Sequence, residues 1–156
     1  MNKKVLIGVL LCLPLMFFGC TKTKEKEMVC KKDLNYQDSN ITWINEVSVK
    51  YDNNDEIVNT TVKEFITVDP SITDERREAF KTGIEKECSS EMGTKFDSCT
   101  LDSSTDRFVI TFETNKLEVL DSAISKSDEQ NIDTDSKING VKTYLEKKGY
   151  VCEEVK

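Results

Sequence analysis

Ile41-Thr42-Trp43-Ile44-Asn45-Glu46-Val47-Ser48-Val49-Lys50-Tyr51, the cluster Asp52-Asn53-Asn54-Asp55, and the run that follows to Val68 decide the fold. Ile41, Trp43, Asn45, Val47, Val49 and Tyr51 occupy alternate positions among mostly polar residues, and Val58, Val62, Ile66 and Val68 sit at even offsets beyond the cluster. A period of two places one set of side chains on one face of a strand. Asn and Asp tolerate left-handed backbone and bond their own main chain, so Asp52 to Asp55 read as a turn. The segment predicts a β-hairpin.

A shorter strand over Met28 to Lys32 is expected before the hairpin. After it, Thr73 is the predicted N-cap of a helix opening with Asp74 and Glu75. Its apolar stripe, Phe80, Ile84, Cys88 and Met92, repeats every four residues as far as Gly93. A second hairpin is expected from Phe96 to Leu101 and from Phe108, Ile110 and Phe112, turning over Asp102 to Asp106. A short helix over Lys116 to Ile124 and a polar, acidic loop over Ser125 to Asp135 follow. The last helix is predicted over Gly140 to Lys148, between Asn139 as N-cap and Gly149 as C-cap. A strand over Tyr150 to Val155 closes the chain. The order β-β-β-α-β-β-α-β defines an α+β fold: a mostly antiparallel twisted sheet with helices packed on one face.

The N-terminal segment has another character. Lys3 and Lys4 precede an uncharged apolar run, Val5 to Phe18, that stops at Gly19-Cys20 and gives way to the charged stretch Lys22 to Glu27. The run is short of the roughly 20 apolar residues that cross a bilayer, and it has the layout of an export signal. Phe17-Phe18-Gly19-Cys20 resembles the lipobox of bacterial lipoproteins, with Phe17 where Leu is usual. That resemblance implies a diacylglyceryl group on the Cys20 thiol and cleavage before it. Residues 1–19 are therefore expected to be a signal peptide, 20–26 a lipidated cysteine and flexible tether, and 27–156 a single extracytoplasmic domain. The expected location is the extracytoplasmic face of the cell membrane, held by lipid on Cys20.

Cleavage at that point would remove Lys3 and Lys4 and leave 20 basic against 29 acidic side chains, a formal charge of −9. The basic residues are interspersed with acids rather than gathered in a stripe, which argues against nucleic acid as a partner. Of six cysteines, Cys12 would leave with the signal and Cys20 would carry lipid. Cys30, Cys88, Cys99 and Cys152 remain, an even number suited to two disulfides in an exported domain. Four thiols allow three pairings, and spacing alone does not choose among them. The predicted elements favour Cys88 with Cys99, where a strand returns from the end of a helix, and Cys30 with Cys152.

Taken together, a Cys-terminated signal, a lysine-rich tether, a meander containing Val49 to Ile57, a central helix, a hairpin and the ending Gly140-Val141-Lys142-Thr143-Tyr144-Leu145-Glu146-Lys147-Lys148-Gly149-Tyr150 look like the small lipoproteins of the YehR-like type. The likeness lies in the order of elements along the chain. It implies no reaction, cofactor or functional residue.

Catalytic signals are few. The chain has no histidine, which excludes Ser-His-Asp and Cys-His centres and His-ligated metals. It has no phosphate-binding or nucleophile-elbow motif. Acidic pairs such as Asp74-Glu75 and Glu153-Glu154 read as solvated surface in a chain with 29 acids. Asp52 to Glu56 crowds oxygen ligands together but lacks the glycine and distal glutamate of a calcium loop, so a turn accounts for it. Trp43, on the regular apolar face, is expected in the core rather than stacked on a ligand. No enzymatic activity, cofactor or metal is expected. The preferred reading is a surface binding or interaction module for an envelope protein, a wall polymer or a small ligand. The alternative is a structural accessory subunit of a membrane complex such as a transporter. A deep pocket lined by Trp43, Tyr51 or Tyr144 would favour the binding module; a flat apolar patch of several hundred Å² would favour the accessory subunit.

Overall fold

A computed structural model describes residues 25–35, 40–90, 93–124 and 137–155. It contains a six-stranded sheet in the order β4-β5-β3-β2-β1-β6. The strands are β1 (Lys26–Asp33), β2 (Ile41–Tyr51), β3 (Ile57–Val68), β4 (Ser98–Ser103), β5 (Arg107–Thr114) and β6 (Val151–Val155). Every neighbouring pair is antiparallel. The helices are α1 (Asp74–Glu85), α2 (Leu117–Ile124) and α3 (Ile138–Lys147). The α+β class and the antiparallel sheet are as the periodicity predicts, with α2 and α3 as separate helices between β5 and β6.

The register shows why the sheet has two unlike faces. Cys30 lies opposite Val47, Val47 opposite Val62, and Val62 opposite Phe112, so the alternate apolar residues of four strands share one side. On that side Met28, Val49, Ile66, Phe108 and Ile110 are fully buried. The helices cover it. Ile84 of α1, Leu117 and Leu120 of α2, and Val141 and Leu145 of α3 belong to the same core, and Phe80 meets Phe108 edge to face at 6.2 Å between ring centroids. On the opposite side of the strands, from Val29 through Ile44, Phe65 and Val109, no residue is fully buried. One covered and one solvated face is the usual arrangement of an antiparallel sheet in which alternation is kept.

The hairpin turn forms where expected. Asp52 accepts backbone N–H groups of Asn54 at 2.8 Å and Glu56 at 3.0 Å, and Asp55 takes a left-handed φ of 65°. A bulge between Lys50 and Tyr51 shifts the register there and leaves Val58 exposed. Thr73 caps α1 as predicted, its hydroxyl accepting from the Arg76 N–H.

Several boundaries differ from the sequence expectations. β1 runs from Lys26 to Asp33, longer than Met28 to Lys32, so the last expected tether residue joins the sheet. Helix α1 ends at Glu85 rather than near Gly93, and 3-10 turns follow at Glu87–Ser89 and Gly93–Lys95. The Ser90 hydroxyl donates to the Glu87 carbonyl at 2.6 Å and accepts from the Gly93 N–H at 3.0 Å. Such side-chain bonds offer the backbone an alternative to another helical turn. β4 begins at Ser98, with Phe96 packed just before it against Phe112 at 4.8 Å. Asn139 does not cap α3: the helix starts at Ile138, two residues before the expected Gly140, and the Ile138 N–H donates to the Asp55 carbonyl of the distant hairpin turn at 3.1 Å. Gly149, with φ 89°, follows the C-cap Lys148 and supplies the left-handed exit. The signal, Cys20, Met92 and the loop Ser125 to Asp135 lie outside the described residues.

Candidate functional site

Two disulfides fix the frame. Cys30 pairs with Cys152 and Cys88 with Cys99, the combination the predicted elements favour. The first joins directly opposed residues of β1 and β6, so the short edge strand is fastened at its second residue. The second ties the turn after α1 to β4 across 11 residues of sequence.

Polar side chains form a row on the covered face. Lys32 pairs in register with Asn45, and Asn45 with Glu64. The Tyr150 hydroxyl donates to Asn45 Oδ1 at 3.0 Å, both residues being buried, and the Trp43 indole N–H donates to Glu64 Oε2 at 3.1 Å. Lys32 Nζ lies over the Tyr150 ring at 5.6 Å and donates to the Lys148 carbonyl at 2.7 Å, closing the C-terminal end of α3. Burial, and then the negative charge of Glu64, push the Tyr150 phenol up to about 12. Buried polar groups persist when they are bonded to one another, and this row joins β1, β2, β3 and the α3–β6 connection. Trp43 is half-buried on the core side, as expected. Tyr51 is buried too, and so is Tyr144, whose hydroxyl donates to Asp121 Oδ1. None of the three lines the groove at the β6 edge.

An open concavity lies along the β6 edge of the sheet. It is a shallow groove of about 580 Å³ where β6, β1 and β2 meet on the uncovered face, bounded by Val29, Lys31, Glu46, Val151, Glu153 and Val155. Lys31 and Glu46 form an ion pair of 3.0 Å across the β1–β2 ladder. Val151 and Val155 are 70% and 53% exposed, two of the three exposed large apolar side chains among the described residues. Alternation along Val151-Cys152-Glu153-Glu154-Val155 sends Cys152 inward to its disulfide and Val151, Glu153 and Val155 to the uncovered face. The sequence marked β6 only as a closing strand. The signal available was Val151 and Val155 on one parity and Cys152 on the other, which becomes informative once Cys152 is known to face the core.

Among the described residues no cluster of cysteine and carboxylate side chains is arranged to hold a metal ion, and no helix is long and apolar enough to cross a membrane. No protein-family model matches the chain, and neither curated proteins nor solved structures give a match. The molecule is defined by its architecture: a disulfide-braced antiparallel α+β domain, helices on one face, with a grooved free edge.

Proposed function

We propose that this chain is a lipoprotein anchored through Cys20 on the extracytoplasmic face of the cell membrane, and that its domain is an interaction module for an envelope protein. The observation that supports an interaction role is the one-sidedness of the sheet. All three helices are spent on one face, while the other face and the β6 edge keep exposed valines beside a groove. Two disulfides suit an exported domain, and the sequence's resemblance to the YehR-like lipoproteins points the same way. A shallow, mixed polar and apolar surface suits a macromolecular partner better than a small solute, which is ordinarily enclosed.

The test has two arms. A Cys20→Ala chain is expected to lose its membrane attachment; unchanged processing and attachment would overturn the anchor. Photo-crosslinking residues placed at Ser48 and Thr61, on the uncovered face, are expected to capture a discrete protein in intact cells. The same group at exposed Thr82 of α1 is expected not to do so. Equal or absent capture from the two faces would overturn the interaction reading.

A further inference from the structure

Strand β6 is the outermost strand on its side of the sheet, and among the described residues nothing pairs with its outer edge. An unpaired edge is a row of backbone donors and acceptors able to take another strand. Proteins commonly blunt such edges with short, frayed strands and with charge. Here the edge strand is held in place: Cys152, its second residue, is bonded to Cys30, which is fully buried in the core. Its charges have one sign. Glu153 and Glu154 have no ion-pair partner among the described residues, whereas the neighbouring Lys31 is occupied by Glu46.

We propose that the outer edge of β6 is a strand-addition site for an extended, basic segment of a partner protein. The pattern expected of that segment is apolar-x-basic-x-apolar, with apolar side chains beside Val151 and Val155 and a lysine or arginine beside Glu153. Main-chain bonds along the edge supply affinity, and alternate side chains beside Val151, Glu153 and Val155 supply selection. The acidic pair works as a filter. A second copy of this chain, paired antiparallel and centred on β6, sets Glu153 against Glu153, and like charges directly opposite destabilise a ladder. A basic strand meets the same charge as attraction.

This proposal rests on the interaction-module reading and can fail separately from it. The probe is a fluorescein-labelled seven-residue peptide in which threonine alternates with valine, lysine and valine. Two controls accompany it: one with glutamate for lysine, and one with alternate backbone amides N-methylated. Binding to the full chain in detergent is followed by fluorescence anisotropy. The lysine peptide is expected to bind saturably, the glutamate peptide at least tenfold more weakly, and the methylated peptide not at all. Glu153→Lys, at an exposed position where folding is little affected, is expected to reverse the lysine–glutamate preference. Near-ultraviolet circular dichroism checks that the variant keeps its fold.

Absence of saturable binding, equal binding of the lysine and glutamate peptides, or an unreversed preference in a folded Glu153→Lys chain would each overturn the site. So would a chain that sediments as a dimer without peptide and becomes monomeric on Val151→Pro, since β6 would then serve self-pairing. If the peptide fails while cross-links still form at Ser48 and Thr61, the strand-addition site alone is refuted. If the cross-links fail as well, the interaction module falls with it.

Discussion

The Tyr150 hydroxyl donates to Asn45 Oδ1 at 3.0 Å across 105 residues of sequence, tying the entry to β6 to the middle of β2. Asn45 is only 6% exposed, so this bond satisfies an amide that water barely reaches. Tyr150→Phe keeps the ring and removes the donor. An orphaned buried acceptor costs about 1–3 kcal/mol, so the variant should unfold at a lower urea concentration with an unchanged slope. An unchanged midpoint would show that the amide finds another partner.

The same residue predicts an alkaline response. The Tyr150 phenol is pushed from the ordinary 10.0 up to about 12 in the folded chain, by burial first and the charge of Glu64 second. Between those values the unfolded chain has lost this proton while the folded chain keeps it, so rising pH favours unfolding. The stabilisation is fully present below pH 10 and is lost as pH rises through about 12. Every other ionisable side chain is common to wild type and Tyr150→Phe. The test is therefore a difference: the advantage of wild type over Tyr150→Phe in urea midpoint should shrink between pH 10 and 12. A constant difference would contradict it.

The legible parts of the fold were those fixed by local pattern. Alternation in Ile41 to Tyr51 gave β2 and its buried face, Asp52 to Asp55 gave the turn, and Thr73 gave the start of α1. The illegible parts depend on contacts remote in sequence. Helix α3 is capped by the Asp55 carbonyl rather than by Asn139, a partner no neighbouring residue reveals. Glu64 stands at a core-facing offset between Val62 and Ile66, where an acid needs a partner, and that partner is the Trp43 indole of the neighbouring strand. The groove at β6 was illegible for a different reason. Exposure is set by which edge of the sheet is left unpaired, and topology decides that.

The two disulfides should differ in their effect on stability. Cys30–Cys152 spans 122 positions and Cys88–Cys99 spans 11. Loop-closure entropy assigns about 5 kcal/mol to the longer link and about 3 kcal/mol to the shorter. Replacing both members of each pair by Ala should therefore lower the urea midpoint more for Cys30 and Cys152. In that variant, amide exchange over Val151 to Val155 should also accelerate, because the covalent link within the β1–β6 ladder is gone. The reverse order of midpoints would mean that native-state packing around Cys88 outweighs chain entropy.

Gly93 should tolerate no side chain. A Cβ built there would lie 2.8 Å from the Cys88 carbonyl oxygen and closer still to that of Glu87, both rigid main-chain atoms of the preceding turn. Gly93→Ala must displace the turn that holds Cys88, at a cost of about 1–3 kcal/mol. Gly83 is the control, since nothing lies within 4 Å of a Cβ at that exposed position of α1. Gly83→Ala should stabilise the helix by up to about 1 kcal/mol. Thermal unfolding of the two variants should move in opposite directions; equal shifts would refute the steric argument.

The hairpin turn makes the last prediction, at acid pH. The Asp52 carboxylate is held below its ordinary 3.8, first by the Glu56 backbone N–H and further by the Asn54 backbone and side chain and the positive charge of Lys137. Lys137 Nζ reaches both the Asn54 carbonyl at 3.0 Å and Glu56 Oε1 at 3.2 Å, and the next N–H, that of Ile138, takes the Asp55 carbonyl at 3.1 Å. Order in the turn thus bears on the start of α3. A depressed folded value means that the turn's contribution is complete above the ordinary 3.8 and is lost as pH falls through the lower folded value. Carboxyl carbon NMR should show Asp52 titrating below 3.8, with the Ile138 amide shift following the same curve. Asp52→Asn keeps the shape and removes the charge, so in that variant the Ile138 shift should no longer follow that step. If Ile138 still titrates there, another carboxylate governs the start of α3, and the link from turn to helix is broken.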